Sequence, residues 1–218
     1  MKTVAILSQK GGSGKTTLSL HLAVAAVKAG KSAVVVDLDP QASATTWYAA
    51  RKKAGHSAEP PVVPAHPAQL ETLIDNCRAQ SVDFVFVDTA PQSDNLAVQA
   101  AQLSDVVLVT CKPSVMDLRA IQSTLRLTDI ASVTPLIVLS QVEPQGERHA
   151  EAAATLAALN VDVCPMGTVK RVAYMDALIE GQTAQEYEPN GKAAMEVGVL
   201  YRHVLKLATK NNKRARAA

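Results

Sequence analysis

The chain has 218 residues, 48% of them hydrophobic and 19% charged, a balance that is ordinary for a globular core and excludes an intrinsically disordered chain. This length is sufficient for one well-buried α/β domain and leaves too little for a second full domain. The formal net charge of +2 excludes a protein that is basic overall, so any contact with nucleic acid is expected to be local.

The three cysteines, Cys77, Cys111 and Cys164, lie far apart in the sequence and form no CxxC pair. This spacing favours buried, reduced thiols over a disulfide or a metal site. No apolar run approaches the roughly 18 residues that a membrane-spanning helix needs, and the first residues lead directly into a strand pattern without a signal peptide. We therefore expect a cytoplasmic protein.

Short runs of β-branched residues alternate along the chain with stretches rich in Ala and Leu. This alternation predicts an α/β fold with a mostly parallel, twisted sheet that is flanked by helices on both faces. Strands are predicted at residues 3–8, 32–37, 84–88, 106–111, 135–141 and 161–164. Helices are predicted at residues 15–29, 42–54, 68–80, 117–131, 147–159, 172–180 and 193–210.

Two segments fall outside this alternation. Residues 56–67 carry four prolines and are expected to form a loop, or at best a short edge strand. Residues 210–218 are basic and are expected to form a disordered tail, so that the single domain spans residues 1–209. For this tail, a role in solubility and a contact with DNA are equally favoured.

The strongest motif is the run KGGSGKTT at residues 10–17, between an apolar strand and a helix. Glycines allow a tight turn whose backbone N–H groups face phosphate oxygens, and the helix N-terminus adds a favourable dipole. Lys15 is expected to reach the β- and γ-phosphates, and the hydroxyl of Thr16 is expected to bind Mg²⁺. The predicted ATP-binding residues of this loop are Gly11, Gly12, Ser13, Gly14, Lys15, Thr16 and Thr17.

Two further strands end in carboxylates. The run AVVVDLDPQ places Asp37 and Asp39 at the end of the second predicted strand, and DFVFVDTAP places Asp88 at the end of the third. The carboxyl ends of parallel strands form the edge at which open α/β sheets bind ligands. Asp88 is therefore expected close to the Mg²⁺ that Thr16 holds.

The phosphate loop departs from the general pattern G-x-x-x-x-G-K-[ST], because Gln9 stands at the position of the first glycine and Lys10 follows it. A lysine directly before Gly-Gly resembles the deviant Walker A motif of the ParA/MinD family of P-loop ATPases. The resemblance extends from Met1 to about Lys210 and implies an ATPase whose two copies pair around ATP. It also implies that Lys10 contacts the nucleotide of the partner subunit.

The same resemblance implies roles for other residues. Asp39 is expected to position the attacking water and to act with Lys10 and Lys15 in catalysis, while Asp37 joins Asp88 and Thr16 around the metal. Residues 89–94 resemble a switch loop that senses the γ-phosphate, and residues 112–114 resemble a proline-containing turn near the dimer interface. The adenine is expected near Gln141 and Met166.

At the level of function, the family resemblance favours the small partition ATPases. It implies an ATP-bound homodimer that binds DNA without sequence preference, with Arg148, Lys170 and Arg171 as the expected contacts. Slow hydrolysis, stimulated by a ParB-like or ribbon-helix-helix centromere-binding protein, would segregate a plasmid or chromosome. The expected location is the cytoplasm, on the nucleoid when ATP is bound, without stable membrane association.

Three alternatives remain at this point. A MinD-like, membrane-associated positioning ATPase would use an amphipathic C-terminal helix, but the apolar stripe from Val197 to Ala208 is equally expected of a helix packed on a sheet. A nucleotide-dependent metabolic enzyme would need a substrate site that no motif marks. An iron–sulfur reductase would need paired cysteines. His21 lies on the apolar first helix and is expected to be a packed core residue.

Overall fold

The computed structural model describes the backbone of residues 1–215 and the side chains of residues 1–209. The described backbone contains one sheet of seven strands, all parallel. The strands are β1 (Lys2–Leu7), β2 (Ala33–Asp37), β3 (Val62–Pro64), β4 (Phe84–Asp88), β5 (Val106–Cys111), β6 (Leu136–Leu139) and β7 (Asp162–Val163).

The α-helices of the described backbone connect these strands and follow the last one. They are α1 (Lys15–Lys28), α2 (Ser43–Lys53), α3 (Leu70–Ala79), α4 (Asp94–Gln102), α5 (Val115–Ile130), α6 (Arg148–Ala157), α7 (Val172–Ile179), α8 (Ala184–Tyr187) and α9 (Lys192–Ala215). A 3₁₀ turn at Pro67–Gln69 leads into α3.

The strand order is β3-β2-β4-β1-β5-β6-β7, so β1 is central and is paired with β4 on one side and β5 on the other. Strands β2, β3 and β4 lie on one side of β1 and β5, β6 and β7 lie on the other, so the loop that follows β1 lies where the direction of the chain connections reverses. In open parallel sheets, ligands bind at this point, outside the carboxyl ends of the strands.

Helices cover both faces of the sheet, each over its own buried apolar cluster. One cluster joins β1 to α1, α2 and α9, and the other joins the sheet to α3, α4, α5 and α6. The inward stripe of α9 is buried, with Val197, Leu200 and Val204 each no more than 1% exposed. No helix within the described residues is both long enough and apolar enough to cross a membrane.

The predicted fold class, an α/β domain with helices on both faces of a parallel sheet, is confirmed. Each predicted strand and helix is present, with ends that differ by a few residues, and the proline-rich segment supplies the edge strand β3. α5 begins two residues earlier than predicted because the hydroxyl of Ser114 accepts a hydrogen bond from the N–H of Asp117 and caps the helix.

Two helices were missed. α4 carries buried apolar residues at positions 96, 97, 100 and 101, a helical period that follows Ser93 and Asp94, so the signal was present in the sequence. α8 is a single turn, too short to show any period. The side chains of the predicted tail, residues 210–218, lie outside the described part of the chain, and the expectation for this tail stays a prediction.

Candidate functional site

The loop between β1 and α1 has the backbone conformation that its glycines predict. Gly12 and Gly14 have φ angles of 68° and 92°, in the left-handed region that side chains with a Cβ rarely adopt. The carbonyl of Gly14 accepts the first helical hydrogen bond of α1, from the N–H of Leu18 at 2.9 Å. The loop therefore leads directly into a helix N-terminus, whose dipole favours an anion.

The carbonyl groups of this loop are turned outward by two side chains that follow β6. The amide nitrogen of Gln141 donates to the carbonyl of Gly12 at 3.1 Å, and the hydroxyl of Ser140 donates to the carbonyl of Ser13 at 2.6 Å. In a trans peptide the N–H points opposite to the carbonyl, so the N–H groups of Ser13 and Gly14 point away from these partners. Both residues line the cleft, and backbone N–H groups that are free of partners in such a cleft are what a phosphate group requires.

Lys15 lies at the bottom of this cleft and is 6% exposed. Burial lowers the pKa of its ammonium group, while the charges of Asp88 and Asp39 act in the opposite direction. The lysine thus lies within electrostatic reach of the carboxylates at the ends of two strands, and its contact with the β- and γ-phosphates stays a prediction.

Asp88, the last residue of β4, is completely buried. The hydroxyl of Ser19 donates to its Oδ1 at 3.3 Å, and its Oδ2 has no hydrogen-bond partner among the described residues. Burial raises the pKa of Asp88 to about 7, while the nearby hydroxyl of Thr16 opposes the rise and the charge of Asp37 adds to it. A buried carboxylate oxygen without a partner, beside the Thr16 hydroxyl, fits Mg²⁺, which prefers oxygen ligands.

Asp37 and Asp39 differ in how free their carboxylates are. Asp37 accepts hydrogen bonds from the N–H and the hydroxyl of Thr45, at 2.9 and 2.7 Å, and from the N–H of Asp39 at 3.2 Å. It therefore holds the first turn of α2. Asp39 accepts from the N–H of Gln41 at 2.9 Å and lines the phosphate cleft. Asp39 thus has the access to the cleft that its predicted role requires.

A second, largely apolar pocket of about 190 Å³ adjoins the phosphate cleft and shares Gly14, Thr17 and Gln141 with it. Its outer wall is formed by Thr168–Arg171 and the first turns of α7, including Tyr174 and Met175. An apolar pocket next to a phosphate cleft is suited to a nucleoside base. Gln141 lines this pocket, whereas Met166 packs against the core and does not line it. The contact of the adenine with these two residues stays a prediction.

Glu196 of α9 holds this outer wall in place and was missed by the sequence analysis. Its carboxylate accepts hydrogen bonds from the N–H of Val169 at 3.1 Å, the hydroxyl of Tyr174 at 3.0 Å and the guanidinium of Arg171 at 2.7 Å. Glu196 is 6% exposed. A buried carboxylate with three donors fixes the segment that carries them.

Lys10 does not line its own phosphate cleft. Its Nζ lies 2.8 Å from Oδ1 of Asp117, in the first turn of α5. The ammonium group of Lys112, which follows β5, also lies close to the loop. Its Nζ is 4.0 Å from the point where a Cβ atom would stand if Gly12 carried one.

The predicted DNA contacts are placed differently from one another. Arg148 is exposed at the start of α6. Lys170 is 65% exposed, with its Nζ 3.6 Å from a carboxylate oxygen of Glu143. Arg171 is bound to Glu196 and is only 25% exposed. Of the three, Arg171 has a structural partner that accounts for its position.

His21 is a packed core residue, as predicted, with 1% of its surface exposed. The N–H of Ala184 donates to Nε2 at 3.0 Å, so Nδ1 carries the proton and donates to the carbonyl of Thr17 at 2.7 Å. The ring thus connects the phosphate-loop helix to α8. Burial lowers the pKa of His21 to about 4.

A glycine loop at the central strand of a parallel sheet, with a lysine and a buried carboxylate close to it, is typical of the class of P-loop nucleoside triphosphatases. The family model described as the CobQ/CobB/MinD/ParA nucleotide binding domain matches residues 4–184, and the chain belongs to this family. It is an ATPase that uses ATP and Mg²⁺. Bound Mg²⁺ supplies charge neutralisation at the phosphates.

Curated relatives match along most of the chain. Maintenance of carboxysome distribution protein A from Gloeobacter kilaueensis is 32% identical over 206 residues, 93% of this chain and 92% of that protein. The protein of the same name from Halothiobacillus neapolitanus is 28% identical over 200 residues, 89% of this chain and 91% of that protein. The chromosome-partitioning ATPase Soj from Thermus thermophilus is 32% identical over 134 residues, 50% of this chain and 54% of that protein.

Among solved structures, the septum site-determining protein MinD from Pyrococcus horikoshii, complexed with Mg-ADP, has a TM-score of 0.74 to this chain. It is 19% identical, and the match covers 96% of this chain and 98% of that protein. At this identity the likeness shows the fold.

Proposed function

We propose that this ATPase is a nucleotide-switched positioning protein. With ATP and Mg²⁺, two copies pair face to face, and Lys10 of each reaches the phosphates held by the other. The pair binds DNA without sequence preference, and slow hydrolysis separates the two copies and releases the DNA. The cycle converts ATP hydrolysis into directed placement of a cargo.

The observation that carries this proposal is the direction of Lys10. Its side chain leaves the phosphate loop on the side away from the cleft and ends at Asp117, so it does not serve the nucleotide of its own subunit. The side chain is also 46% exposed, which leaves it accessible to a second molecule. A cation in this position is explained by a phosphate that approaches from a partner subunit.

The make-up of the phosphate cleft supports slow hydrolysis. Among the described residues that line it, Lys15 is the one cation and no arginine is present. Transition-state charge on the phosphates is then stabilised by Lys15, by Lys10 from the partner and by the metal, while Asp39 orients the attacking water. P-loop enzymes that lack an arginine finger turn over slowly, so a protein that stimulates hydrolysis would set the timing of release.

For DNA we propose a basic face on α9 together with Lys170. Lys192, Arg202 and Lys206 are exposed at helical spacing on one side of α9. Within the described side chains, none of the three is within 4.0 Å of a carboxylate. The nearby carboxylate on the same helix, Glu196, is buried beneath Arg171. Such a row of lysine and arginine side chains suits the phosphates of a duplex without reading its sequence.

The named relatives indicate the kind of cargo. Two are named for the distribution of carboxysomes and one for chromosome partitioning, and what these roles share is the placement of a large body in the cell. We extend this shared role to the present chain. A replicon would be presented by a ParB-like or ribbon-helix-helix protein, and another body by an adaptor of its own, with the ATP-bound dimer on the nucleoid.

A membrane-bound version of this cycle is less well supported. The apolar stripe of α9 that a lipid surface would need is packed against the sheet and α1. Burial in the core leaves it unable to enter a bilayer without unfolding the domain.

Retention on DNA tests the proposal directly. The protein is sedimented with random-sequence duplex DNA in the presence of a non-hydrolysable ATP analogue, ADP or no nucleotide, each with Mg²⁺. We expect retention with the ATP analogue only, and a steep loss of binding as salt increases. A parallel sedimentation with anionic vesicles should show no nucleotide-dependent binding. The absence of retention in every nucleotide state would point to a metabolic enzyme instead, and equal retention in all three would show that ATP does not switch DNA binding.

Charge reversal then locates the surface. The triple variant Lys192→Glu, Arg202→Glu, Lys206→Glu should lose DNA retention while it keeps ATP binding. The matched control reverses three exposed cations elsewhere, at positions 28, 53 and 126, and should bind DNA as the unmodified protein does. Loss of retention in the control alone would place the DNA surface elsewhere.

A further inference from the structure

The contact between Lys10 and Asp117 joins two residues that are far apart in sequence. The ion pair measures 2.8 Å, and the side chain of Asp117 is only 9% exposed. Asp117 also contacts the hydroxyl of Ser114, and its pKa is lowered, against the opposing effect of burial, by hydrogen bonds from Lys10 and Ser114 and by the charge of Lys112. Its carboxylate is therefore held in the charged form at the base of the lysine.

Capping of α5 accounts for only part of this arrangement. Ser114 caps the helix by accepting from the N–H of Asp117, and the Asp117 carboxylate returns a contact to the Ser114 hydroxyl. A cap of this kind does not need Lys10. The lysine contact is additional, and it occupies the same ammonium group that the proposed function sends to the partner's phosphates.

We propose that Asp117 is a positioning residue that holds Lys10 on its own subunit and thereby opposes dimerisation. The inference rests on the trans role of Lys10 under the proposed function. The Lys10 ammonium group cannot form a close ion pair with the Asp117 carboxylate and with the partner's phosphates at the same time. The two anions therefore compete for it. Dimerisation is favourable when Lys10 interacts more strongly with the partner's ATP and metal than with Asp117.

The symmetry of the dimer doubles the effect. Each dimer exchanges two Lys10–Asp117 contacts for two Lys10–phosphate contacts. If one half-exposed ion pair is worth about a factor of five, the two together change the dimer dissociation constant by about 25-fold. When Lys10 leaves, the carboxylate of Asp117 remains near the charge of Lys112. This charge reduces the free-energy cost of leaving the carboxylate without its ion pair.

Asp117→Asn is the direct test, because the substitution removes the charge and keeps the shape of the side chain. The dimer dissociation constant is measured by analytical ultracentrifugation with a non-hydrolysable ATP analogue and Mg²⁺. We expect this constant to fall by about 25-fold relative to the unmodified chain. The matched control, Ser114→Ala, disturbs the cap but keeps the carboxylate, and it should not tighten the dimer.

Two further variants separate this inference from the proposed function. In a Lys10→Ala background, Asp117→Asn should give no additional tightening, because no lysine remains to be released. Tightening that persists without Lys10, or an unchanged constant for Asp117→Asn alone, would overturn the role of Asp117. Lys10→Ala by itself should weaken the dimer, and if it dimerises normally the trans role of Lys10 fails instead.

Discussion

Asp37 and Asp88 lie directly opposite each other in the parallel register of β2 and β4, and their carboxylates have opposite environments. The Asp37 carboxylate accepts two hydrogen bonds from Thr45 in the first turn of α2 and one from the N–H of Asp39, whereas Oδ2 of Asp88 accepts none among the described residues. One strand-end carboxylate is therefore used for structure, and its neighbour is left available to a metal ion. The next two predictions separate these roles.

Asp88→Asn should lose Mg²⁺-dependent ATP hydrolysis by at least about 100-fold, because the amide cannot replace an anionic metal ligand. The same variant should be more stable than the unmodified apoprotein by roughly 2 kcal/mol at pH 8, since it removes a buried charge whose Oδ2 has no hydrogen-bond partner among the described residues. The folded-state pKa of Asp88, about 7, lies above its unfolded value. The charged form therefore destabilises the fold increasingly as the pH rises from about 4 to about 7.

Denaturant unfolding of both proteins without nucleotide, at pH 5 and pH 8, measures this difference. The stability advantage of Asp88→Asn should be complete at pH 8 and about half as large or less at pH 5, because pH 5 lies between the unfolded pKa and the folded pKa of about 7. An equal advantage at both pH values would show that the carboxylate is not buried as a charge.

Thr45→Val should lower the free energy of unfolding by about 1 kcal/mol, because one of the hydrogen bonds to the buried Asp37 is lost and the volume is kept. Asp37→Ala should lower it by about 2 kcal/mol, since the first turn of α2 loses its acceptor. Thr45→Val should leave the affinity for Mg-ATP within about threefold of normal. Urea unfolding and calorimetric titration give both quantities. A large loss of affinity in Thr45→Val would show that Asp37 acts on the metal through its orientation.

The phosphate loop and the strand-end carboxylates were predictable because each depends on residues that are close in sequence. The spacing of Gly11–Thr17 fixes a loop and a helix start, and an apolar strand fixes where Asp88 must lie. The approach of Lys15 to Asp88 then follows from the parallel order of β1 and β4 alone.

The base pocket was only partly predictable because its residues come together through tertiary packing. Thr168 and Tyr174 lie beyond β7 and reach the pocket beside the phosphate loop only through tertiary packing, in which the Tyr174 ring lies 5.1 Å from the ring of His21 in α1. Met166, two residues before Thr168, packs against the core instead, and no local pattern distinguishes the two positions. The contact of Lys10 with Asp117 depends likewise on the start of α5, which no sequence period places near β1.

Lys15→Ala and Asp39→Ala should fail at different steps. Loss of Lys15 removes the cation that lies beneath the phosphates, so the affinity for ATP should fall by more than about 100-fold. Asp39→Ala should bind ATP normally, hydrolyse it at least about 100-fold more slowly and accumulate as a dimer, because the water is no longer oriented. Calorimetry, turnover and sedimentation separate the two. Normal turnover in Asp39→Ala would remove this residue from the catalytic step.

His21 should make the stability of the domain depend on pH. The pKa of His21 is lowered to about 4 in the folded chain, while the unfolded value is about 6.5, so the unfolded state binds the proton first. Stability is therefore lost as the pH falls from about 6.5 towards 4, by about 2 kcal/mol between pH 7 and pH 5. In His21→Gln this loss should be absent, and the difference between the two proteins isolates the histidine from Asp88, which acts in the opposite direction. Parallel pH profiles for the two proteins would contradict the buried, neutral ring.

Arg171→Ala tests whether this arginine supports the base pocket or contacts DNA. Its guanidinium is bound to Glu196, which also holds the N–H of Val169 and the hydroxyl of Tyr174. Removal of the arginine leaves the buried carboxylate without its cation, so the wall of the pocket should loosen and the affinity for ATP should fall by about tenfold. Glu196→Gln should weaken ATP binding to a similar extent, because the same three donors lose a charged acceptor.

Lys170→Ala is the matched control. Its side chain is 65% exposed, and the variant should reduce the salt dependence of DNA binding while ATP affinity is unchanged. If Arg171→Ala instead binds ATP normally and flattens the salt dependence, the arginine belongs to the DNA surface and the pocket wall stands without it.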